Sequence, residues 1–173
     1  MPTPSVDYLA ILKTLRRHGV DFVVVGGVGA ALHGVTLATF DIDVVHSREP
    51  HNLNRLMAAL KELEAHYRIP GRREKKPSLS HLASVGHQLL MTRFGPLDLL
   101  GTIGKGRDYG QLLDDTVELA IGGGLKVRIL SLERLVKTKE ETGQEKDRAV
   151  LPMLRRVLEE RSKSRESGHG RDG

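Results

Sequence analysis

The feature of this chain that most constrains its fold is a pair of acids inside an otherwise apolar segment, VVVGGVGAALHGVTLATFDIDVV, which spans residues 23–45. Asp41 and Asp43 are separated by one residue, so in a strand both side chains point to one face while Ile42 and Val44 point to the other. Neighbouring carboxylates repel each other and lose hydration when buried, which is costly without a compensating charge. The pattern therefore predicts a strand with one buried face and one face that meets something positive.

A third acid, Asp98, has a similar setting, because Leu97 and Leu99 alternate with it in the stretch PLDLL. Mg²⁺ takes oxygen ligands and is often held by one or two carboxylates, with water and substrate phosphates completing its shell. A third carboxylate would complete a site for two ions about 3.5–4 Å apart, which clamp the attacking and leaving oxygens of an in-line displacement. We therefore predict Asp41, Asp43 and Asp98 as ligands of two Mg²⁺ or Mn²⁺ ions; the alternative is that all three are edge or turn acids facing water.

The glycines that precede the acids have two other interpretations. A dinucleotide-binding pattern G-x-G-x-x-G begins at Gly27, but Leu32 stands at its last position and the acids follow sooner than the usual spacing of about 20 residues. A P-loop requires a G-K-[ST] run, which is missing here. Neither motif is complete.

Composition restricts the class of protein. The chain has 173 residues, 39% of them apolar and 28% charged, which predicts a soluble globular protein with one substantial core. No apolar run approaches the roughly 18 residues of a membrane span, and the first residues lack a signal-peptide pattern. With no cysteine, the chain suits a reducing compartment, and we expect it in the cytoplasm, away from membranes.

The net charge of +5 is concentrated in one stretch, RIPGRREKK, over residues 68–76. Five basic residues stand there against a single glutamate. The stretch is either a solvated loop or a surface for a polyanion such as RNA.

The order of periodic segments predicts an α/β (α+β) fold with a mixed, largely antiparallel sheet flanked by helices. One domain should cover residues 1–162, with a core over 20–130, C-terminal helices over 131–162 and a disordered tail over 163–173. Pro152 should kink or restart the last helix, which we predict over 146–161. The remaining predictions are a helix from a Ser5 cap to Gly19, strands DFVVV and FDIDVV around a helix GVGAALHGV, a long amphipathic helix from Leu53 through Tyr67, hairpins HQLLMTR/PLDLLGT and TVELAIGGGLKVRIL, and a helix after Ser131.

The glycine pair, the DID run and the later strand acid together resemble the signature of the DNA polymerase beta-like nucleotidyltransferase superfamily. The resemblance implies that Gly26 and Gly27, at the start of a helix, contact the triphosphate, and that Asp41, Asp43 and Asp98 hold two Mg²⁺ ions. Glycine permits the close backbone approach, and a helix N-terminus favours anions.

Residues 128–147 further resemble the tail of small bacterial members, including nucleotidyltransferase components of toxin–antitoxin and abortive-infection systems. Gly27 stands where such members commonly have serine, and Leu37 and Gln144 stand where they have arginine. An antitoxin-like protein partner is implied by the same resemblance.

Two further residues are candidate nucleotide contacts. Lys139 continues the apolar stripe of Leu132, Leu135 and Val136, so it should lean toward the body of the protein. It either extends to solvent or, as the resemblance suggests, neutralises the triphosphate. Thr39 could hydrogen-bond a phosphate or fix the strand that carries the acids.

The histidines have no pair at helical zinc-binding spacing, and we interpret them as surface or polar-core residues. His33 and His46 flank the predicted site and are candidate ligand contacts.

These observations predict a Mg²⁺-dependent nucleotidyltransferase that moves a nucleoside monophosphate from an NTP to a hydroxyl of tRNA, of a protein or of a small molecule. Asp41 and Asp43 would bind both ions, and Asp98 the ion on the acceptor side. The alternatives are a nucleotide-binding or partner-binding module of a toxin–antitoxin-like pair without turnover, and a nuclease with similar metal chemistry.

Overall fold

A seven-stranded sheet forms the centre of the chain in a computed structural model that describes residues 6–35, 41–69 and 75–168. Its strands lie in the order β3-β4-β5-β2-β1-β7-β6. Their bounds are β1 Phe22–Val25, β2 Ile42–His46, β3 His66–Tyr67, β4 His87–Thr92, β5 Gly95–Leu100, β6 Thr116–Gly122 and β7 Leu125–Leu130.

The sheet is mixed, as the sequence predicts. The pairs β1–β2, β3–β4, β4–β5 and β6–β7 are antiparallel, whereas β1–β7 and β2–β5 are parallel. Both predicted hairpins are present, and the second carries a bulge between Ala120 and Gly122. The fold class is therefore confirmed.

Helices occupy both faces of the sheet. No helix in the described ranges has the length and apolar character needed to cross a bilayer. The helices are α1 Tyr8–Arg17, α2 Gly26–Leu32, α3 Pro50–Glu62, α4 Leu79–Leu82, α5 Tyr109–Leu112, α6 Leu132–Thr142 and α7 Glu145–Gly168.

Two apolar clusters hold these helices to the sheet, one on each face. The first joins α1 and α3 to Val24, Val44, Leu97 and Leu99. The second joins α6 and α7 to the alternate strand residues, among them Val45. Because strand neighbours alternate in direction, Asp43 and Asp98 lie on the face of the second cluster. That face carries the candidate site.

Two predicted helix ends differ from the structure. Asp7 is the N-cap of α1 and accepts a hydrogen bond from the Ala10 N–H, whereas the predicted cap, Ser5, lies outside the described residues. Helix α3 ends at Glu62, and Glu64 has a left-handed φ of 54° that turns the chain. The helical period through Tyr67 was therefore misleading, because Tyr67 lies in β3 and pairs with Leu90 of β4.

The C-terminal helices also differ from the prediction. Ser131 caps α6, as predicted, and Gly143 ends it in a left-handed conformation. Helix α7 then passes through Pro152 without a restart and continues to Gly168, so residues 163–168, the described part of the predicted tail, are helical. Charged residues with good helix propensity sustain this end, and the Ser162 and Ser164 hydroxyls donate to the carbonyls of Leu158 and Glu160.

Two buried histidines, one on each face of the sheet, form side-chain contacts to backbone carbonyls of other elements. His33, at the end of α2, lies with Nε2 2.7 Å from the Leu130 carbonyl, while Arg161 of α7 donates to its carbonyl and lies 3.0 Å from Nδ1. His46 places Nε2 2.7 Å from the Leu82 carbonyl. Burial lowers the pKa of both histidines below 6.5, against the carbonyl contacts that raise it. Both are polar-core residues in this fold, and neither lines the cavity described below.

We expect the free energy of unfolding to fall as the pH drops through about 6.5, because the unfolded chain then binds protons that the folded His33 and His46 resist. At pH values below the lowered pKa values, the two histidines are protonated in both states and cause no further fall in the free energy of unfolding. The double variant His33→Gln/His46→Gln should flatten this slope in urea titrations between pH 5 and 8. The exposed His51→Gln is the matched substitution control. Parallel pH profiles for the wild type and the double variant would contradict the expectation.

Candidate functional site

Two carboxylates lie side by side on the central strands. Because β2 and β5 are parallel neighbours, Asp43 is the register partner of Asp98, and Val44 is the partner of Leu99. Paired residues point to the same face, so the two acids share the face opposite Val44 and Leu99. Asp98 is 8% exposed, which places one carboxylate in a largely desolvated position.

The third predicted acid takes a different position. Asp41 is half-buried and lies one residue before β2, which begins at Ile42. Within the described ranges, no group of three or more histidines, aspartates or glutamates is arranged to hold a metal ion. The structure therefore brings Asp43 and Asp98 together but does not assemble all three acids into one cluster.

The Asp43 carboxylate lies directly against Gly26. β1 ends at Val25, the register partner of Asp43, and α2 begins at the next residue. Gly26 has a φ of +65°, and a Cβ built at this position would overlap the Asp43 Oδ2 atom. Only glycine meets both demands, because side chains rarely adopt this backbone conformation and none would fit here.

A cavity of about 500 Å³ opens beside this contact. It receives three of the predicted functional groups from the sheet and α2, namely Gly26, Gly27 and Asp43, and a fourth, Lys139, from α6. Gln144, where the resembling family has arginine, also faces it. The other lining residues are Val25, His87, Leu100, Thr102, Ile103, Gly104, Leu130, Leu135, Thr138, Thr142, Asp147 and Val150.

Lys139 is paired at the cavity wall. Its Nζ donates to Asp147 Oδ1 at 3.0 Å, and the Thr142 hydroxyl donates to Asp147 Oδ2 at 2.8 Å. The Lys139 side chain is 18% exposed, so it does not extend fully into solvent. An ammonium group, a carboxylate and a hydroxyl group therefore lie together where the two C-terminal helices meet.

The loop that closes another side of the cavity is fixed to α6. Arg107 donates to both carboxylate oxygens of Glu141, and Ile103 forms an isolated bridge with Arg107. The hydrogen bond from Arg107 holds the pKa of Glu141 below its usual value, against the opposing effect of burial. Thr102, Ile103 and Gly104 are thereby held at the cavity.

Asp98 does not line the cavity, and it has a cationic neighbour. Arg68 Nη1 lies 2.7 Å from Asp98 Oδ1 and donates a hydrogen bond to the Leu90 carbonyl, also at 2.7 Å. Among the described residues, no donor is aligned for a hydrogen bond to this buried Oδ1 atom. Asp98 therefore has an electrostatic partner but an unused acceptor position.

This donor set suits a divalent cation held through Asp43 and Asp98. Two carboxylates in register, one with a buried oxygen that has no aligned hydrogen-bond donor, match the oxygen ligands that Mg²⁺ takes, with phosphates completing its shell. The further prediction that Asp41 joins them, with two ions in the site, stays a prediction.

Several of the remaining predicted residues fall outside the part of the chain that the structure describes. Thr39 and Leu37 lie outside the described residues. The basic stretch is described only at residues 68–69 and 75–76. The cavity residues that sequence reasoning missed include His87 and Thr142. The one available signal was the clustering of polar residues around Gly143, between two helices.

No protein-family profile matches the chain, and no curated protein does so either. Among solved structures, the chain is similar to a candidate nucleotidyltransferase from Thermotoga maritima, with 19% identity, a TM-score of 0.54 and coverage of 88% of this chain and 93% of that one. It is also similar to the lincosamide antibiotic adenylyltransferase LnuA in a lincomycin-bound structure, with 14% identity, a TM-score of 0.55 and coverage of 88% and 99%.

A third similar structure is that of the antibiotic-resistance factor ANT(2'')-Ia, with 16% identity, a TM-score of 0.53 and coverage of 93% and 96%. ANT(2'')-Ia is also known in complex with adenylyl-2''-tobramycin. Identities this low establish a shared fold and no more. The chain therefore has the fold of these nucleotidyltransferases, as its resemblance implied.

We expect Gly26→Ala to destabilise the protein more than Gly123→Ala. Both glycines have a φ near +65°, but a Cβ at Gly123 meets open space whereas one at Gly26 overlaps the Asp43 carboxylate. The shared conformational cost is about 1–2 kcal/mol, and the overlap should add roughly 1–3 kcal/mol. Urea unfolding of the two variants measures the difference. Equal losses of stability would show that Gly26 and Asp43 are not in close contact.

Proposed function

We propose that this chain is a Mg²⁺-dependent nucleotidyltransferase that transfers a nucleoside monophosphate from an NTP to a hydroxyl group. The observation that carries the proposal is the cavity shared by Gly26, Gly27, Asp43 and Lys139. All four are candidate site residues from the sequence, and together they offer backbone amides, a carboxylate and a cation. The fold shared with the adenylyltransferases LnuA and ANT(2'')-Ia supports the same activity.

The triphosphate would lie along the glycine pair. Glycines at the cavity wall allow phosphate oxygens to approach the backbone N–H groups without a side chain intervening. Lys139 faces the same cavity and would offset part of the phosphate charge. Its present partner, Asp147, would keep the ammonium group in place before the nucleotide binds.

Asp43 and Asp98 would hold the cation, with Asp41 as the third predicted ligand. Bound there, a divalent cation would neutralise charge on the phosphates and favour ionisation of the acceptor hydroxyl. The protein contributes mainly by positioning the reactants, since no covalent intermediate is needed. Asp98, on β5 next to the exposed Leu89 of β4, would mark the side from which the acceptor approaches.

The transfer would form one bond and break another at the α-phosphorus. The acceptor oxygen bonds to this phosphorus, while the bond from phosphorus to the bridging oxygen of the β-phosphate breaks. Pyrophosphate leaves with the electron pair of that bond. The acceptor proton passes to Asp98 or to solvent, so neither an oxidant nor a reductant is required.

The acceptor class is the least constrained part of the proposal. The LnuA structure contains lincomycin, and the ANT(2'')-Ia structure contains an adenylylated tobramycin. These structures favour a small hydroxyl compound over tRNA or a protein. An antitoxin-like partner, a cytoplasmic location and the single-domain organisation remain predictions from the sequence.

A second candidate is a nucleotide-binding module without turnover. It is favoured by the Arg68–Asp98 ion pair and by the lack, within the described ranges, of a cluster of three acids that could hold a metal ion. Such a module would bind NTP in a metal-dependent way, yet transfer nothing.

We expect label from an α-³²P-NTP, but not from a γ-³²P-NTP, to appear in acceptor when the protein, Mg²⁺ and a mixture of candidate acceptors are incubated together. A γ-label leaves with pyrophosphate, so the comparison separates nucleotidyl transfer from kinase activity. Asp43→Asn should reduce transfer by on the order of 100-fold or more, because it removes a carboxylate from the cation site.

Asp114→Asn is the matched control, since Asp114 is an exposed acid in a 3₁₀ turn away from the cavity. Its transfer rate should equal that of the wild type. Metal-dependent NTP binding without transfer would favour the second candidate. If neither binding nor transfer is found with any of the four NTPs, the proposed function is wrong.

A further inference from the structure

A row of side chains crosses the sheet at the level of the two acids. Register partners place Asp43 beside Asp98 and Asp98 beside Leu89. The Arg68 N–H donates to the Leu89 carbonyl, so Arg68 continues the row beyond β3. Its guanidinium group then reaches back past Leu89 to the Asp98 carboxylate.

The guanidinium group of Arg68 lies at the carboxylate oxygen of Asp98 that a cation could use. Arg68 Nη1 lies 2.7 Å from Asp98 Oδ1, the buried oxygen that has no aligned donor. A cation that binds Asp98 through this oxygen would meet the positive charge of Arg68 at close range. The Arg68 contact and a metal contact at the same oxygen therefore compete.

Arg68 is placed so that it can withdraw. Its side chain is 23% exposed, whereas that of Asp98 is 11% exposed, so the guanidinium group has access to solvent and the carboxylate is more enclosed. The same Nη1 atom donates to the Leu90 carbonyl, so the guanidinium group has to rotate about this hydrogen bond, or release it, to leave Asp98. Leu89, on the same face, is 46% exposed.

We propose that Arg68 is a positioning residue that serves as an exchangeable counter-ion of Asp98. It balances the buried carboxylate before a divalent cation binds, and it gives up this contact when the cation arrives. The inference rests on the proposed function, because it assumes that Asp98 is a cation ligand. Arg68, which is not itself a cation ligand, would then help to set the affinity for the cation.

Binding of Mn²⁺ alone, followed by electron paramagnetic resonance of the free ion, tests the inference without any measurement of activity. Arg68→Gln should bind Mn²⁺ on the order of tenfold more tightly than the wild type, whereas Arg68→Lys, which keeps the charge, should stay closer to the wild type. Arg93→Gln removes a positive charge elsewhere, where Arg93 lies over the Phe94 ring, and should leave the affinity unchanged.

A double-mutant cycle with Asp98→Asn separates competition from a structural effect. In the Asp98→Asn background, Arg68→Gln should no longer tighten Mn²⁺ binding. If Arg68→Gln fails to fold, Mg²⁺ titration of the wild type gives the same information, because the Arg68 Nε–Hε NMR resonance should shift as the ion pair opens.

The outcomes distinguish the inference from the proposed function. If the wild type binds Mn²⁺ and Arg68→Gln binds it equally or less tightly, Arg68 is not a competing counter-ion. An Arg68 resonance that stays fixed while Mg²⁺ binds would lead to the same conclusion. If neither the wild type nor Arg68→Gln binds Mn²⁺, the cation site itself is absent, which overturns the proposed function together with the inference.

Discussion

The contact between Gly26 and the Asp43 carboxylate is the constraint on which the candidate site depends. The backbone turns from β1 into α2 at a φ of +65°, directly above an acid on the neighbouring strand. Any side chain at residue 26 would displace the carboxylate. The sheet supplies the other half of the arrangement, since the parallel pairing of β2 and β5 places Asp98 next to Asp43.

Two ion pairs lie close to the candidate site. Arg68 lies beside Asp98, and Lys139 lies beside Asp147. All four side chains are at most 23% exposed, so each pair is partly shielded from water. A triphosphate with its cation would bring both signs of charge and could exchange with both pairs at once. Under the proposed function, the site would exchange charge partners without large movements of the sheet.

Much of this arrangement could be predicted from strand periodicity. Alternation of Asp43 with Val44, and of Asp98 with Leu97 and Leu99, identified the polar face of two strands before their pairing was known. The same reasoning failed at Tyr67, because a helical period continued across a left-handed residue, Glu64, that ends the helix. Period alone does not report where a chain turns.

Other features required the three-dimensional register. The approach of Arg68 to Asp98 depends on two successive antiparallel pairings, β3 with β4 and β4 with β5, which no local pattern encodes. His87 reaches the cavity for a similar reason, through its pairing with Leu100. The partner of Lys139 is eight residues further along the chain, across the break at Gly143.

The most direct test of the account is a crystal structure with Mn²⁺ and a non-hydrolysable NTP analogue, in which anomalous scattering locates the metal. The account predicts Mn²⁺ bound by Asp43 and Asp98, the triphosphate along Gly26 and Gly27, and Arg68 withdrawn from Asp98. Metal and nucleotide bound at another surface, with the Arg68–Asp98 contact intact, would contradict it.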